Sequence, residues 1–203
     1  VAWLASREQE PDVVLSGSAV GWYGDAGERE LDERQPPVSS DYASQLCAAW
    51  EDAALLAEPL GIRVVRIRTG LVLAADGGFL KRLLLPFKLA LGGPIGNGRQ
   101  WMPWIHLHDQ VALMDFLLHH EAACGPYNAC APAPVRSRAF AKALGAALHR
   151  PAFMPLPAIF LKLGLGELSV LLLGGQRALP KRLLEAGFVF RFNTLETALA
   201  DLL

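Results

Sequence analysis

The chain has 203 residues, enough for one domain or two small ones. Hydrophobic residues make up 52% and charged residues 19%, which supplies a core and argues against disorder. A formal net charge of −1 leaves no electrostatic footprint for nucleic acid.

The opening "VAWLASREQE" starts on Val1 and reads as a continuation, so a fragment is expected. "DVVLSG" is an apolar run bounded by Pro11 and Gly17 and predicts a buried strand that stops on hydroxyls. "SSDYASQLCAAWEDAALLAEPLG" has caps at its start, a helical apolar stripe and Gly61 as a stop. "IRVVRIRTGLVL" predicts a second strand with Arg63, Arg66 and Arg68 interleaved among Val and Ile. "GGFLKRLLLPFKLALGG" predicts a helix that Pro86 kinks or divides. A Gly-rich loop, "PIGNGRQWMPW", leads to a short strand "WIHL", after which Asp109 can N-cap the helix "QVALMDFLLHH". "GPYNACAP" predicts a strand and "SRAFAKALGAALHR" a helix. The tail predicts short helices, a loop "LPKRLLEAGFVFRFN", and a last helix "TLETALADLL" capped by Thr194. The apolar stretch "AIFLKLGLGELSVLLLGG" carries Lys162, Glu167 and several glycines, too interrupted for a membrane span.

Strands alternating with helices predict an α/β fold with a mainly parallel sheet. Such a chain prompts a search for Gly-x-Gly-x-x-Gly between a first strand and helix. "GGPIGNG" at 92–98 is Gly-rich but follows a helix, so it lacks that setting. Cys47, Cys124 and Cys130 are three cysteines without metal spacing, which suits a reducing, cytoplasmic compartment. His106 and His108 stand two apart before Asp109, but no further His or Cys cluster completes a metal shell, so no metal is expected. His119 and His120 end a helix, where positive charge suits the dipole.

The segments "SGSAVGWYGD", "RIRTGLVLAADGGFLKRLLLPFKLALGGPIGNGRQWMPWIHLHD", "GPYNACAPAPV" and "GGQRALPKRLLEAGFVF" resemble the atypical extended short-chain dehydrogenase/reductases, the epimerase/dehydratase-like branch of the YfcH type. The resemblance covers nearly all of the chain. It implies the C-terminal portion of a Rossmann-like parallel sheet with a small, mainly helical substrate lobe. Residues 1–75 would be later Rossmann elements. Residues 76–203 would hold the lobe, a returning strand–helix segment near 104–130, and a family-specific segment over 153–203. The glycine fingerprint would lie upstream, in roughly a hundred residues forming the first mononucleotide-binding half. The intact protein would then bind NADP or NAD, with none held by these residues alone.

The same resemblance implies site roles. Ser18 matches the hydroxyl that hydrogen-bonds the reacting oxygen, and Tyr42 the proton-transferring phenol. A phenol of pKa about 10 needs a cation nearby to act at neutral pH. The residue four on, where the family has Lys, is Leu46, so the Tyr-x-x-x-Lys pair is broken. Ser18 can equally satisfy backbone groups at a strand end, and Tyr42 can be a helix-face aromatic with a wet hydroxyl. Tyr23 is a second phenol beside the strand end. Thr69, Gly70, Leu71 and Val72 match the chain that passes the nicotinamide, with backbone groups pairing its carboxamide; a strand-end bulge is the competing reading. The diphosphate clamp of sugar-nucleotide relatives is replaced by Met102 and Pro103, so Arg99 and Trp104 become the substrate candidates in a more apolar pocket. The expected function is an NAD(P)-dependent epimerase or reductase of an unknown small molecule, with neither nucleic-acid nor membrane partners. The rival is a non-catalytic nucleotide-binding or regulatory protein linked to cell division. Leu46 and Met102 favour the rival; Ser18 and Tyr42 favour the enzyme.

Overall fold

The computed structural model describes residues 11–38, 40–155 and 174–203. The opening ten residues and most of the apolar stretch that starts at 158 lie outside the described residues. So does Ser39, one of the expected helix caps.

Three strands form the central sheet: β1 (Val13–Ala19), β3 (Arg63–Thr69) and β7 (Gly125–Ala129). They run in the order β1-β3-β7, all parallel. Val65 and Ile67 of β3 are buried with Ile105, Leu113, Leu117 and Tyr127 in one core, as expected for an inner parallel strand covered on its faces. β1 extends past Gly17 to Ala19, so Ser16 and Ser18 belong to the strand.

Helix α1 (Tyr42–Leu55) begins where Asp41 accepts a hydrogen bond from Ser44 N at 2.8 Å, a side-chain N-cap. After it, a short 3-10 turn over Glu58–Leu60 ends at Gly61, whose φ of 79° favours glycine.

The predicted second strand divides. Gly70 separates β3 from β4 (Leu71–Leu73), which leaves the central sheet to pair in parallel with β6 (Trp104–His106). The physical reason is close approach: a Cβ on Gly70 would lie 2.5 Å from Pro103 O. Only glycine lets the chain turn against that carbonyl.

Two further small pairs bring distant segments together. β2 (Glu30–Leu31) pairs in parallel with β9 (Arg177–Ala178), and β5 (Trp101–Met102) pairs antiparallel with β8 (Val135–Arg136). Strands β5, β8 and β9 thus lie in the region after residue 76, beside its helices.

Helix α2 (Gly78–Lys88) runs through Pro86 without dividing, because the proline stands in its last turn. Helix α3 (Leu107–His119) is capped by His106, whose Nδ1 accepts from His108 N at 3.0 Å. Asp109 was the expected cap. It sits inside the first turn instead, and its two oxygens accept from Arg191 N and Phe192 N at 3.0 Å each. Helix α4 (Ser137–Ala147) packs on α6 (Leu195–Leu202), with Leu144, Leu195 and Leu199 fully buried between them. Thr194 caps α6 as its sequence predicts. Within the predicted loop 179–193 a short helix, α5 (Lys181–Glu185), has formed. No helix among the described residues is long and apolar enough to cross a membrane.

Candidate functional site

Open parallel sheets bind ligands beyond the carboxyl ends of their strands. At that end β1 and β3 open onto a cleft of about 140 Å³, lined by Ala19 to Gly21, Thr69 to Leu71, Trp101 to Pro103, and Gln176. A larger open cleft of about 820 Å³ lies beside His106, Asp201 and α3. The smaller cleft is the better candidate, because it sits at the carboxyl ends of the central sheet. In the larger one His106 is occupied: Nδ1 caps α3, Nε2 lies 3.4 Å from Asp201, and the ring stacks on Phe192.

The row below the cleft points the other way. Ser18, Arg68 and Asn128 are register partners across β1, β3 and β7, one step before Ala19, Thr69 and Ala129. Alternation puts that row on the opposite face of the sheet. There Ser18 Oγ donates to Glu51 Oε1 at 2.9 Å. Arg68 meets the same carboxylate twice, through Nε at 2.8 Å and Nη2 at 3.0 Å, the bidentate fork a guanidinium makes. Arg66 adds a third bond at 3.2 Å.

Glu51 is 1% exposed and Arg68 2%, so this pair is buried. Arg68 Nη1 continues the network to Tyr23 Oη at 3.0 Å, and Tyr23 donates to Asn128 Oδ1 at 2.7 Å. The guanidinium also lies 3.8 Å over the Trp22 ring. Burial pushes the Tyr23 phenol well above its ordinary pKa, and the Arg68 charge only partly opposes this. Tyr23 is thus held as a neutral phenol with both of its hydrogen-bonding roles filled.

A second carboxylate stands at the end of this network. Glu33 Oε1 accepts from Asn128 N at 3.1 Å and from Arg182 N at 3.3 Å, while Oε2 is buried without a hydrogen-bond partner among the described residues. Burial raises its pKa, against the lowering effect of those backbone N–H groups.

The sequence-predicted residues fall into place unevenly. Ser18 lies under the sheet end on Glu51 and does not line the cleft. Tyr42 opens α1 and is 55% exposed. Among the described residues no hydrogen bond joins the two. Thr69, Gly70 and Leu71 line the cleft, whereas Val72 does not. The expected pairing of their backbone with a carboxamide meets an obstacle. Gly70 N is spent on Ala129 O at 3.0 Å, and Leu71 N on Pro103 O at 2.7 Å. Arg99 is exposed on the loop and outside the lining. Trp104, expected at the substrate, is fully buried in the core with Nε1 donating to Ala133 O at 2.9 Å, so no part of it reaches a ligand. No group of three His, Cys, Asp or Glu among the described residues could hold a metal ion.

Glu51, Asn128, Glu33 and Gln176 were missed. Arg66 and Arg68, two apart on a buried strand, were the available signal that a carboxylate must face that row.

A dinucleotide would meet a partial fit here. The cleft offers the Thr69 hydroxyl and the Gln176 amide at the sheet's carboxyl end. A phosphate cradle is not formed by 92–98, which joins α2 to β5 and opens no helix.

Comparison with known proteins bears on the fold and the family. Residues 2–130 match the NAD dependent epimerase/dehydratase family, and residues 156–202 match a Domain of unknown function (DUF1731). The chain is 43% identical over 197 residues to the Epimerase family protein ML0860 of Mycobacterium leprae, covering 97% of this chain and 64% of that protein. It is 37% identical over 200 residues to the Epimerase family protein YfhF of Bacillus subtilis, covering 98% and 66%. The crystal structure of human epimerase family protein SDR39U1 (isoform 2) with NADPH superposes with a TM-score of 0.93 at 36% identity, covering 98% of this chain and 68% of that one. The chain thus spans about two thirds of these relatives' length, and its fold is the Rossmann-like α/β arrangement of a parallel sheet with helices. On the match over residues 2–130 and these relatives, the chain belongs to the NAD dependent epimerase/dehydratase family.

Proposed function

We propose that the whole protein binds NADPH across the carboxyl ends of β1 and β3, and that it reduces or epimerises a small, mainly apolar molecule. The observation that carries this reading is the cleft between Ala19 to Gly21 and Thr69 to Leu71, where parallel sheets of this kind hold their ligands. The NADPH seen with the human relative supports the choice of dinucleotide. In a reduction that cofactor would supply a hydride to the carbonyl; in an epimerisation, which is redox-neutral, its oxidised form would first take a hydride and then return it to the other face. These residues contribute the walls: Gly70 lets the chain approach Pro103, and Met102 and Pro103 exclude water.

A second reading is a non-catalytic nucleotide-binding or regulatory protein with a part in cell division. One observation favours the non-catalytic part: among the described residues, no titratable side chain lines the cleft. General acid–base catalysis needs such a group within hydrogen-bond reach.

The test is to titrate the whole protein with NADPH and with NADH by calorimetry, then follow cofactor oxidation across a panel of carbonyl compounds. Tighter binding of NADPH with carbonyl-dependent oxidation is expected. NADPH binding with neither carbonyl-dependent oxidation nor epimer formation from chiral alcohols favours the second reading, and no dinucleotide binding overturns the enzyme reading.

A further inference from the structure

The polar side chains that line the cleft are Thr69, Trp101 and Gln176. Trp101 Nε1 is turned to Glu28 Oε2 at 3.1 Å. Among the described residues Thr69 Oγ1 makes only a long 3.5 Å bond to Ile67 O, and Gln176 comes from the 156–202 stretch that matches the domain of unknown function.

The chain around Gln176 is fixed on both sides. Gly175 N donates to Asp25 Oδ1 at 3.2 Å, and Gly175 O accepts from Ala26 N at 3.2 Å. A Cβ on Gly175 would lie 3.0 Å from Trp101 N, so the backbone passes directly against the cleft wall. On the other side Leu179 N donates to Leu31 O at 2.9 Å, and Leu179 O accepts from Asn128 Nδ2 at 3.0 Å.

Gln176 itself is 3% exposed, and its Nε2 donates to Gly24 O at 2.9 Å. A primary amide has two N–H donors and a carbonyl acceptor, so one bond leaves capacity for more. That capacity sits beside Ala19, Met102 and Pro103, which offer no side-chain partner. The charged groups near the mouth are committed to each other. Arg136 pairs with Glu28 at 2.7 Å and Arg177 with Glu30 at 3.0 Å, and both guanidiniums stack on Trp101. Among the described residues, an anionic ligand would meet no unpaired cation lining the cleft.

We propose that Gln176 hydrogen-bonds the carbonyl or hydroxyl oxygen of a neutral, mainly apolar substrate, which makes the C-terminal segment a part of the substrate site. This rests on the reading of the cleft as the substrate end of a dinucleotide site. It deepens that reading by assigning a contact residue and a substrate class.

The experiment is run on the whole protein without dinucleotide, so that it stands apart from the NADPH titration. 4-Fluoroacetophenone, a neutral aryl ketone, and 4-fluorobenzoate, its anionic counterpart, are titrated while the side-chain amide of Gln176 is followed by nitrogen–proton NMR. A saturable shift of that amide with the ketone and none with the benzoate is expected. Gln176→Met should weaken the ketone by about 5-fold in fluorine NMR, the scale of one neutral hydrogen bond. An unmoved Gln176 amide, tighter binding of the benzoate, or equal ketone affinity in Gln176→Met overturns the proposal. Where Gln176→Met fails to fold, the amide shift of the unaltered protein decides. Ketone binding at Gln176 with no NADPH binding would sink the dinucleotide reading and leave the contact standing.

Discussion

Ser18 and Glu51, 33 residues apart, share a hydrogen bond of 2.9 Å that turns the hydroxyl at the end of β1 away from the cleft. The same carboxylate holds Arg68 and Arg66. The strand-end serine therefore serves a buried ionic network, and its removal should be read in stability. Ser18→Ala is expected to cost about 1.5–3 kcal/mol, the range for hydrogen bonds to charged groups, with dinucleotide affinity unchanged. Urea denaturation and NADPH calorimetry on the same variant check this. Lost turnover with full stability would return Ser18 to the reacting oxygen.

The Arg68–Glu51 pair predicts a larger asymmetry. Glu51→Leu leaves the Arg68 guanidinium, 2% exposed, without its carboxylate. Breaking a buried pair from one side costs about 3–5 kcal/mol, whereas replacing both partners by apolar residues is often close to neutral. Glu51→Leu should thus be far less stable than Glu51→Leu with Arg68→Met. Some of that recovery will be withheld, because Tyr23 Oη and Glu33 O also lose the Arg68 donor. A double variant no more stable than the single one would show that those two acceptors, and not the ion pair, dominate.

The parallel sheet was legible from the β-branched residues of β1 after Pro11 and of β3 after Gly61, and from the alternation of strands with helices, although arginines interrupt β3. The break at Gly70 was legible only in part, as the strand-end bulge that a glycine there allows. The run from Ile62 to Leu73 reads as one strand despite Gly70, and only the carbonyl of Pro103, 33 positions on, makes Gly70 a corner. Helix α1 was legible from its cap and stripe, but Glu51 hides within it. A glutamate on a helix reads as solvated until a buried arginine is known to face it. Asp109 misled for a related reason: its helix-capping chemistry was real, yet Arg191 N and Phe192 N, more than 80 residues away, claimed both oxygens. Contacts of long sequence separation set the site, and a single sequence does not display them.

Glu33 gives a prediction with a sign. Burial raises its pKa, so the fold favours the neutral acid. Such a group contributes stability below its unfolded pKa, about 4.5, which is lost as pH rises through its folded value. At neutral pH the buried Glu33 side chain therefore costs stability that it does not cost in acid. Glu33→Gln keeps an acceptor for Asn128 N and Arg182 N and removes the charge. It should be as stable as the unaltered protein, or more so, at pH 7, and the gain should shrink as pH falls toward 4. Glu33→Ala, which strands both N–H groups, should be destabilised by about 1–3 kcal/mol at either pH. Thermal melts across that range check the sign; a gain for Glu33→Gln that grows on acidification would mean the carboxylate is favoured in the fold.

Tyr42 is the phenol that the sequence matches to proton transfer. It starts α1, is 55% exposed, and stands four residues before Leu46, which cannot supply the cation a phenolate needs. The two arginines of the neighbouring strand are not available to it, since Arg66 and Arg68 are both bound to Glu51 on the sheet. No lysine lies between Val1 and Lys81 to replace them. Tyr42→Phe removes one wet hydroxyl from a helix start. Stability should change by less than about 0.5 kcal/mol, as for ordinary surface positions. NADPH affinity of the whole protein should stay within error, and any turnover should fall by much less than the ~100-fold expected when a general acid–base is lost. A loss of that size, with melting temperature and NADPH affinity intact, would place a working phenol at Tyr42 and require a cation for it that the described residues do not supply.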